Sequence, residues 1–292
     1  MKWAYGITTV PDRLNTTFTR TLESLKKSGF DSPRLFIDGS IDGSEYQHLG
    51  LEFTSHYPRI RTFGNWVLGL AELYLRNPNS DRYAIFQDDM VTGLGLREYL
   101  ESCRYPDRGY WNLYTFPQNQ KLIDGTLGWG LSNQCGLGAV ALVFSREAVT
   151  ELLKHPHMVQ RPQDVKGWRG IDGGIVTAFK KMGWQEYVHN PSLVQHTGTN
   201  SSMGNSKHPT APSFKGENFD LRTLTKSNEV QFSNTSSGEA WELEKLALEK
   251  AINEDILRSK ATRNPREASR LNHLINVYRQ KLDAHMKLRT LK

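Results

Sequence analysis

Four short apolar runs, each closed by turn or polar residues, constrain the fold of this chain more than any other feature. They are WAYGITTV (3–10), RLFIDG (34–39), YAIFQDD (83–89) and GAVALVFS (138–145). Runs of this length, rich in β-branched and aromatic residues and bounded by breakers, predict buried strands. Between the first two, LNTTFTRTLESLKKSGF (14–30) sets Phe18, Leu22 and Leu25 at helical spacing and closes on Gly29, a C-cap signal. After Gly64, NWVLGLAELYLRN repeats the helical pattern ahead of the third run. Strand and helix thus alternate over the first 90 residues, which predicts an α/β fold with a doubly wound sheet. SREAVTELLKH (145–155) predicts a helix started by Ser145, and IDGGIVTAFKKMGW (171–184) another with Asp172 near its start.

Acids and hydroxyls stand at the C-terminal tips of these strands: Thr8 and Thr9, then Asp38, then Asp88 and Asp89. In open parallel sheets that edge is where ligands bind. Two adjacent carboxylates beside an apolar strand repel one another and resist desolvation unless a cation is present. A turn, or a cap for a helix beginning near Gly93–Leu94, is the structural alternative. The chemical reading is a hard divalent cation, Mn²⁺ or Mg²⁺, held by one or two carboxylates together with a diphosphate. In PSLVQHTGTNSS (191–202), His196 ends a short apolar run and enters a polar, glycine-containing loop. An isolated histidine ordinarily serves a surface or core role.

Charge is unevenly divided. Residues 258–292 hold ten Lys or Arg against Glu267 and Asp283, a net of +8, so the preceding residues carry −2 of the total +6. The two cysteines, Cys103 and Cys135, are far apart and lack metal-site spacing. The N-terminus has no sustained apolar stretch, and no window approaches the ~20 apolar residues of a membrane helix, so a soluble, cytoplasmic protein without a membrane span is expected. From Thr197 to Gly238 the composition shifts to Ser, Asn, Thr, Gly and Lys, which suggests a loop or linker. Beyond it, Trp241, Leu248, Ile252 and Ile256 share one helical stripe, and Leu271, Ile275, Tyr278 and Leu282 another. DGSIDGS (38–44) resembles a calcium loop only until its twelfth position, where Leu49 replaces the required Glu. No GxxxxGK[ST] or GxSxG motif is present.

In order and spacing, residues 3 to 203 resemble the glycosyltransferases of GT-A fold, Rossmann-like enzymes that bind a nucleotide sugar with Mn²⁺ or Mg²⁺. The resemblance implies a GT-A catalytic domain over 1–203 with a mixed, mostly parallel sheet. A loop or linker over 204–238 and a basic helical C-terminal subdomain over 239–292 are expected to follow. In this resemblance ITTVPDR (7–13) supplies Thr8, Thr9, Pro11 and Arg13 to the nucleotide, and FIDGS (36–40) brings Asp38 near the base or ribose. FQDDM is similar to the family's metal-binding D-x-D element, with Gln87 where the family has an acid. That leaves Asp88 for ribose or metal-water contact and Asp89 for direct metal ligation. His196 corresponds to the histidine that completes the metal site, and 197–203 to a loop over the diphosphate. GLGAVALVFSREAV (136–149) resembles the family's acceptor-side strand and helix. GWRGIDGGI (167–175) falls where inverting members carry their catalytic base, which implies Asp172 as base, with Trp168 and Arg169 beside it at the acceptor.

The expected donor is a nucleotide sugar, a UDP-sugar first, and the expected outcome is inversion. The basic tail also resembles, loosely, virus-encoded enzymes that place sugars on hydroxymethylated pyrimidines, which implies a double-stranded DNA acceptor. Two alternatives stand beside it: the same chemistry on a glycan, lipid-linked sugar or protein, and a non-catalytic nucleic-acid-binding module on the same fold.

Overall fold

A computed structural model of the chain describes residues 1–159, 170–198 and 209–226, with isolated positions 253 and 256. The chain divides into two compact units, Met1–Gln231 and Phe232–Lys292. Apart from the two isolated positions, the helices expected after residue 238 lie outside the described residues, as do Trp168 and Arg169.

In the first unit the elements run β1 (Trp3–Thr9), α1 (Thr19–Lys27), β2 (Arg34–Asp38), β3 (Phe53–His56), α2 (Arg61–Arg76), β4 (Arg82–Gln87), β5 (Met90–Thr92) and α3 (Leu96–Ser102). They continue with β6 (Gly109–Asn112), α4 (Pro117–Leu122), β7 (Gly128–Leu131), β8 (Ala141–Ser145), α5 (Arg146–Lys154), α6 (Pro156–Val159), α7 (Ile171–Lys181), β9 (Gln185–Asn190) and β10 (Val194–His196). Local chemistry sets several boundaries. Gly29, at φ 93°, ends α1 in a Schellman turn, with Phe30 N–H donating to the Leu25 carbonyl and Gly29 N–H to that of Lys26. Ser145 opens α5 by accepting the Ala148 N–H at 3.1 Å, as its position before the helix predicts.

Among the described residues, eight strands form one mixed sheet in the order β3-β2-β1-β4-β8-β6-β9-β7. β3, β2, β1 and β4 are parallel neighbours; β8 runs antiparallel to both β4 and β6, β9 is parallel to β6, and β7 is antiparallel to β9. The chain winds outward from β1 through β2 to β3, then crosses back to lay β4 on the other side of β1. Strand order therefore reverses between β1 and β4, and the crevice beyond their C-terminal ends is the topological switch point. The register pairs Thr8 with Gln87, so the two tips are level there.

The core on the α2 side is aromatic. Phe36 lies where both Gly6 of β1 and Gly69 of α2 lack a side chain; a Cβ would come within 2.5 Å and 2.8 Å of its ring, respectively. Tyr110, Phe144 and Phe179 stack with centroids 4.8–6.1 Å apart, and Trp184 continues the stack against Phe179 at 5.6 Å. Each ring removes a large apolar surface from water, and the offset stacking fixes their relative positions. Among the described residues, no helix is long and apolar enough to cross a membrane.

Candidate functional site

At the β1/β4 switch point the chain turns sharply after Gln87, and β5 leaves the main sheet to pair with β10 in a separate antiparallel ribbon. Its register sets His196 opposite Met90, the residue after Asp89. The other edge of β5 is satisfied by hydroxyls of α1. Thr21 donates to the Met90 carbonyl at 2.8 Å and accepts the Met90 N–H at 3.1 Å; Ser24 makes the same pair with Thr92 at 3.2 and 2.8 Å. Two hydroxyls at i and i+3 share a helix face, so they replace a neighbouring strand. Thr197 N–H closes the ribbon onto the Asp89 carbonyl at 2.7 Å. The position of the histidine relative to the carboxylate is thus set by backbone pairing.

The two carboxylates have different surroundings. Asp88 accepts the Thr9 hydroxyl proton at 2.8 Å, while the Tyr46 hydroxyl lies 3.3 Å from Thr9 and donates to the Val10 carbonyl at 2.9 Å. Burial, reinforced by the neighbouring Asp89 charge, pushes the Asp88 carboxyl up to about 7. For Asp89, burial acts in the same direction, but the hydrogen bond and charge of His196, with the charge of Arg13, outweigh it and hold the carboxyl below its ordinary value. Asp89 Oδ2 accepts from Arg13 Nη1 at 3.1 Å and lies 3.2 Å from His196 Nε2. Its other oxygen, Oδ1, is buried without a hydrogen-bond partner. Buried polar atoms in native proteins are nearly always satisfied, so this oxygen, at a strand tip of the switch-point crevice, has acceptor capacity that a water or a ligand can take up.

That orphan is the test of whether these residues suit a divalent cation. Among the described residues, no three His, Cys, Asp or Glu side chains converge. Asp89 and His196 provide a carboxylate–imidazole pair with one carboxylate oxygen open, and a metal of the Mg²⁺ or Mn²⁺ type takes only one or two carboxylates when phosphates supply the rest. Gly198 keeps the space clear: a Cβ there would come within 2.7 Å of Asp89 Oδ2 and 3.0 Å of His196 Cε1. The residues present fit the group.

The remaining residues expected from the sequence have other partners. Thr8 Oγ1 donates to the Phe86 carbonyl at 3.4 Å, beside the cluster. Pro11 opens a 3-10 turn, Pro11–Arg13, that carries Arg13 to Asp89. Asp38 is buried and accepts the Ile60 N–H at 2.8 Å, anchoring the connection into α2 at the next strand tip. Gln87 N–H donates to Val140 and its side chain donates to the Ala139 carbonyl at 2.9 Å. The amide that stands in place of an acid is therefore part of the sheet's construction.

Asp172 lies in the first turn of α7 but does not cap it; the N-cap is Gly170, without a side-chain bond. Its Oδ2 accepts the N–H groups of Gly138 at 2.7 Å and Ala139 at 3.3 Å. The loop 132–139 that supplies them is latched to β9 through Gln134, whose side chain donates to the Glu186 carbonyl at 2.8 Å and accepts the Glu186 N–H at 3.0 Å. Gly136, at φ 67°, lets the loop approach α7 so closely that a Cβ would meet the Asp172 carbonyl at 2.3 Å. Sequence reasoning did not anticipate Tyr46, Thr21, Ser24, Gln134 or Glu186 in this framework. The i, i+3 hydroxyl spacing of Thr21 and Ser24 was the one local signal available.

No protein-family model matches the chain, and no curated protein matches it. Several solved structures are similar in fold. GalNAc-T7 in complex with UDP, GalNAc and Mn²⁺ is 14% identical over 94% of this chain and 55% of its own, with a TM-score of 0.50; the present chain thus spans about half of that protein's length. A197 from STIV is 13% identical over 67% of this chain and 85% of its own, with a TM-score of 0.38. A glycosyltransferase involved in glycosylation of the major capsid of PBCV-1 is 11% identical over 64% and 82%, with a TM-score of 0.37. The mixed eight-stranded sheet and the first of these likenesses give the chain a GT-A-like α/β fold.

Proposed function

We propose that the chain is a metal-dependent glycosyltransferase that moves a sugar from a nucleotide-sugar donor to an acceptor hydroxyl with inversion. The observation that carries this reading is the partnerless Oδ1 of buried Asp89, beside His196, at the switch point of a GT-A-like sheet. Asp89 and His196 would hold Mn²⁺ or Mg²⁺. When bound, the metal supplies charge neutralisation to the diphosphate leaving group. Thr9 fixes the Asp88 carboxyl at the mouth of the crevice, and Asp38 stiffens the adjoining strand tip. Asp172, aimed by two backbone N–H groups, would accept the acceptor's hydroxyl proton as that oxygen attacks the anomeric carbon. A UDP-sugar is the first donor to try, since UDP is the nucleotide bound in the GalNAc-T7 structure.

The acceptor is the finer part of the proposal. The net +8 of residues 258–292 favours a polyanion, and we take double-stranded DNA carrying hydroxymethylated pyrimidines as the first candidate, with Trp168 and Arg169 at the acceptor side. A glycan, lipid-linked or protein acceptor is the second. Incubation with Mn²⁺, a panel of UDP- and GDP-sugars, and hydroxymethylated DNA, plain DNA or oligosaccharides, followed by mass analysis, tests both levels. Release of a nucleoside diphosphate that Asp89→Ala abolishes is expected. Sugar on oligosaccharides and none on any DNA would remove the DNA acceptor; no metal-dependent turnover of any donor would remove glycosyl transfer itself. Asp172→Asn is expected to lower kcat by about 10²–10⁴ while leaving donor affinity nearly unchanged, and an unchanged kcat would remove it as base.

A further inference from the structure

Arg13 is not disposed like a side chain waiting for a nucleotide. Its guanidinium is largely buried, 14% exposed, and donates to Asp89 Oδ2 at 3.1 Å and to Thr17 Oγ1 at 3.3 Å. Oδ2 also faces His196 Nε2 at 3.2 Å, so both of its lone-pair directions are engaged while Oδ1 has no partner. In this state the charge of Asp89 is neutralised by an arginine.

A divalent cation arriving at Oδ1 or Oδ2 would meet a fixed guanidinium across a single carboxylate. Both groups are removed from bulk water, so screening of that repulsion is weak. Separating Arg13 from Asp89 is costly unless another anion takes the place of the carboxylate, because breaking a buried ion pair leaves charge uncompensated. A diphosphate is that anion: guanidinium matches phosphate oxygens in bidentate fashion, and Arg13 lies on the turn directly after β1, at the crevice where ligands of such sheets bind.

We infer that Arg13 is the resident counter-cation of Asp89, that it competes with the divalent metal for this carboxylate, and that the donor diphosphate draws it off, so that metal and nucleotide bind as a coupled pair. This rests on the metal site proposed above. Coupling of this kind is reciprocal: the nucleotide tightens the metal by the same factor as the metal tightens the nucleotide. The free chain would then hold metal weakly, and the metal site would be completed only with donor or product nucleotide present.

Mn²⁺ binding to the full-length protein, followed by loss of the electron paramagnetic resonance signal of free Mn²⁺, tests this without turnover. Wild type, Arg13→Met, Arg13→Lys and Asp89→Asn are compared with no nucleotide, with UDP and with GDP, after thermal melts verify folding. Wild type is expected to bind Mn²⁺ at least about tenfold more tightly with UDP or GDP than without. Arg13→Met is expected to bind Mn²⁺ about tenfold more tightly than wild type in the absence of nucleotide and to lose most of the coupling, whereas Arg13→Lys stays near wild type. Asp89-dependent binding that is equally tight with and without nucleotide in wild type would overturn the inference whatever the variants do. So would a folded Arg13→Met that binds no more tightly than wild type. Absence of Asp89-dependent Mn²⁺ binding under every condition would instead remove the metal site, and the inference with it.

Discussion

Gln87 shows what a single position can and cannot say. Its neighbours Asp88 and Asp89 stand out in the sequence because two acids after an apolar strand demand an explanation, and the amide before them looks like a lost ligand. The structure gives it a different task, a hydrogen bond to the Ala139 carbonyl 52 residues away. That carbonyl belongs to the loop whose N–H groups hold Asp172, so the amide ties the strand of the paired acids to the loop of the candidate base. Gln87→Glu, which restores the acid of the family pattern, would set a carboxylate against a carbonyl oxygen. It is expected to lower stability by about 1–2 kcal/mol in urea unfolding without tightening Mn²⁺. A variant that bound Mn²⁺ more tightly would show that the amide does face the metal. Gly198→Ala separates stability from site geometry in the same way. Its methyl falls between Asp89 and His196, so nucleotide-dependent Mn²⁺ binding should weaken about tenfold or more while the melting temperature barely changes. Neither residue's partners are recorded in the local pattern. Arg13 finds Asp89 76 positions away, a pairing that only the sheet creates.

At the scale of elements, legibility followed apolar content. β1, β2, β4 and β8 are buried runs and were evident; β3 (FTSH), β9 (QEYVHN) and β10 (VQH) are short or polar because they sit at an edge or work as carriers of side chains. β9 holds two buried ionisable groups, and their signs are opposite. His189 Nδ1 faces the Pro191 carbonyl at 2.6 Å, so that nitrogen carries the proton and Nε2 accepts the Tyr99 hydroxyl at 2.6 Å. Burial of this neutral ring lowers it to about 4. Its folded value lies below that of the unfolded chain, so the unfolded state takes up a proton first as pH falls. The associated stability is intact above about 6.5 and is lost between 6.5 and 4, by about 3 kcal/mol in all. His189→Gln should flatten this part of the stability–pH curve relative to wild type; an unchanged slope would mean that the ring is already solvated. Glu186 behaves in reverse. Burial raises its carboxyl, Oε1 accepts from Tyr110 at 2.9 Å and Asn112 at 3.1 Å, and Oε2 has no hydrogen-bond partner. With the folded value above the unfolded one, the group loses stability as pH rises past the ordinary glutamate value. Glu186→Gln, an isostere that keeps the accepting oxygen, should therefore gain on wild type more at pH 8 than at pH 5. Glu186→Ala, which strands Tyr110 and Asn112, should cost about 2–4 kcal/mol at either pH.

For the whole molecule, strand–helix alternation foretold a doubly wound sheet but not the order in which strands would meet. The return of the chain past β1 to β4 and the antiparallel insertion of β8 depend on packing across the entire sheet. The same limit applies to charge. Composition assigns +8 to residues 258–292 and −2 to everything before them, and these two parts make different claims. The proposed metal and nucleotide site belongs to the first compact unit, whereas the proposed attraction for a nucleic-acid backbone belongs to the tail in the second. If DNA is the acceptor, affinity of the full chain for duplex DNA should fall with a log–log salt slope of about −4 or steeper, the value for roughly half of the ten basic side chains reaching phosphates. A chain ending at residue 257 should lose most of that slope and all transfer to DNA, yet retain Mn²⁺-dependent release of nucleoside diphosphate from the donor. Full retention of DNA affinity in the shortened chain would move the acceptor surface to the sheet domain. A 292-residue chain with no salt-dependent DNA affinity would leave the glycan, lipid-linked or protein acceptor, because the proposed transfer at Asp89 and Asp172 requires only a hydroxyl and makes no demand for a polyanion.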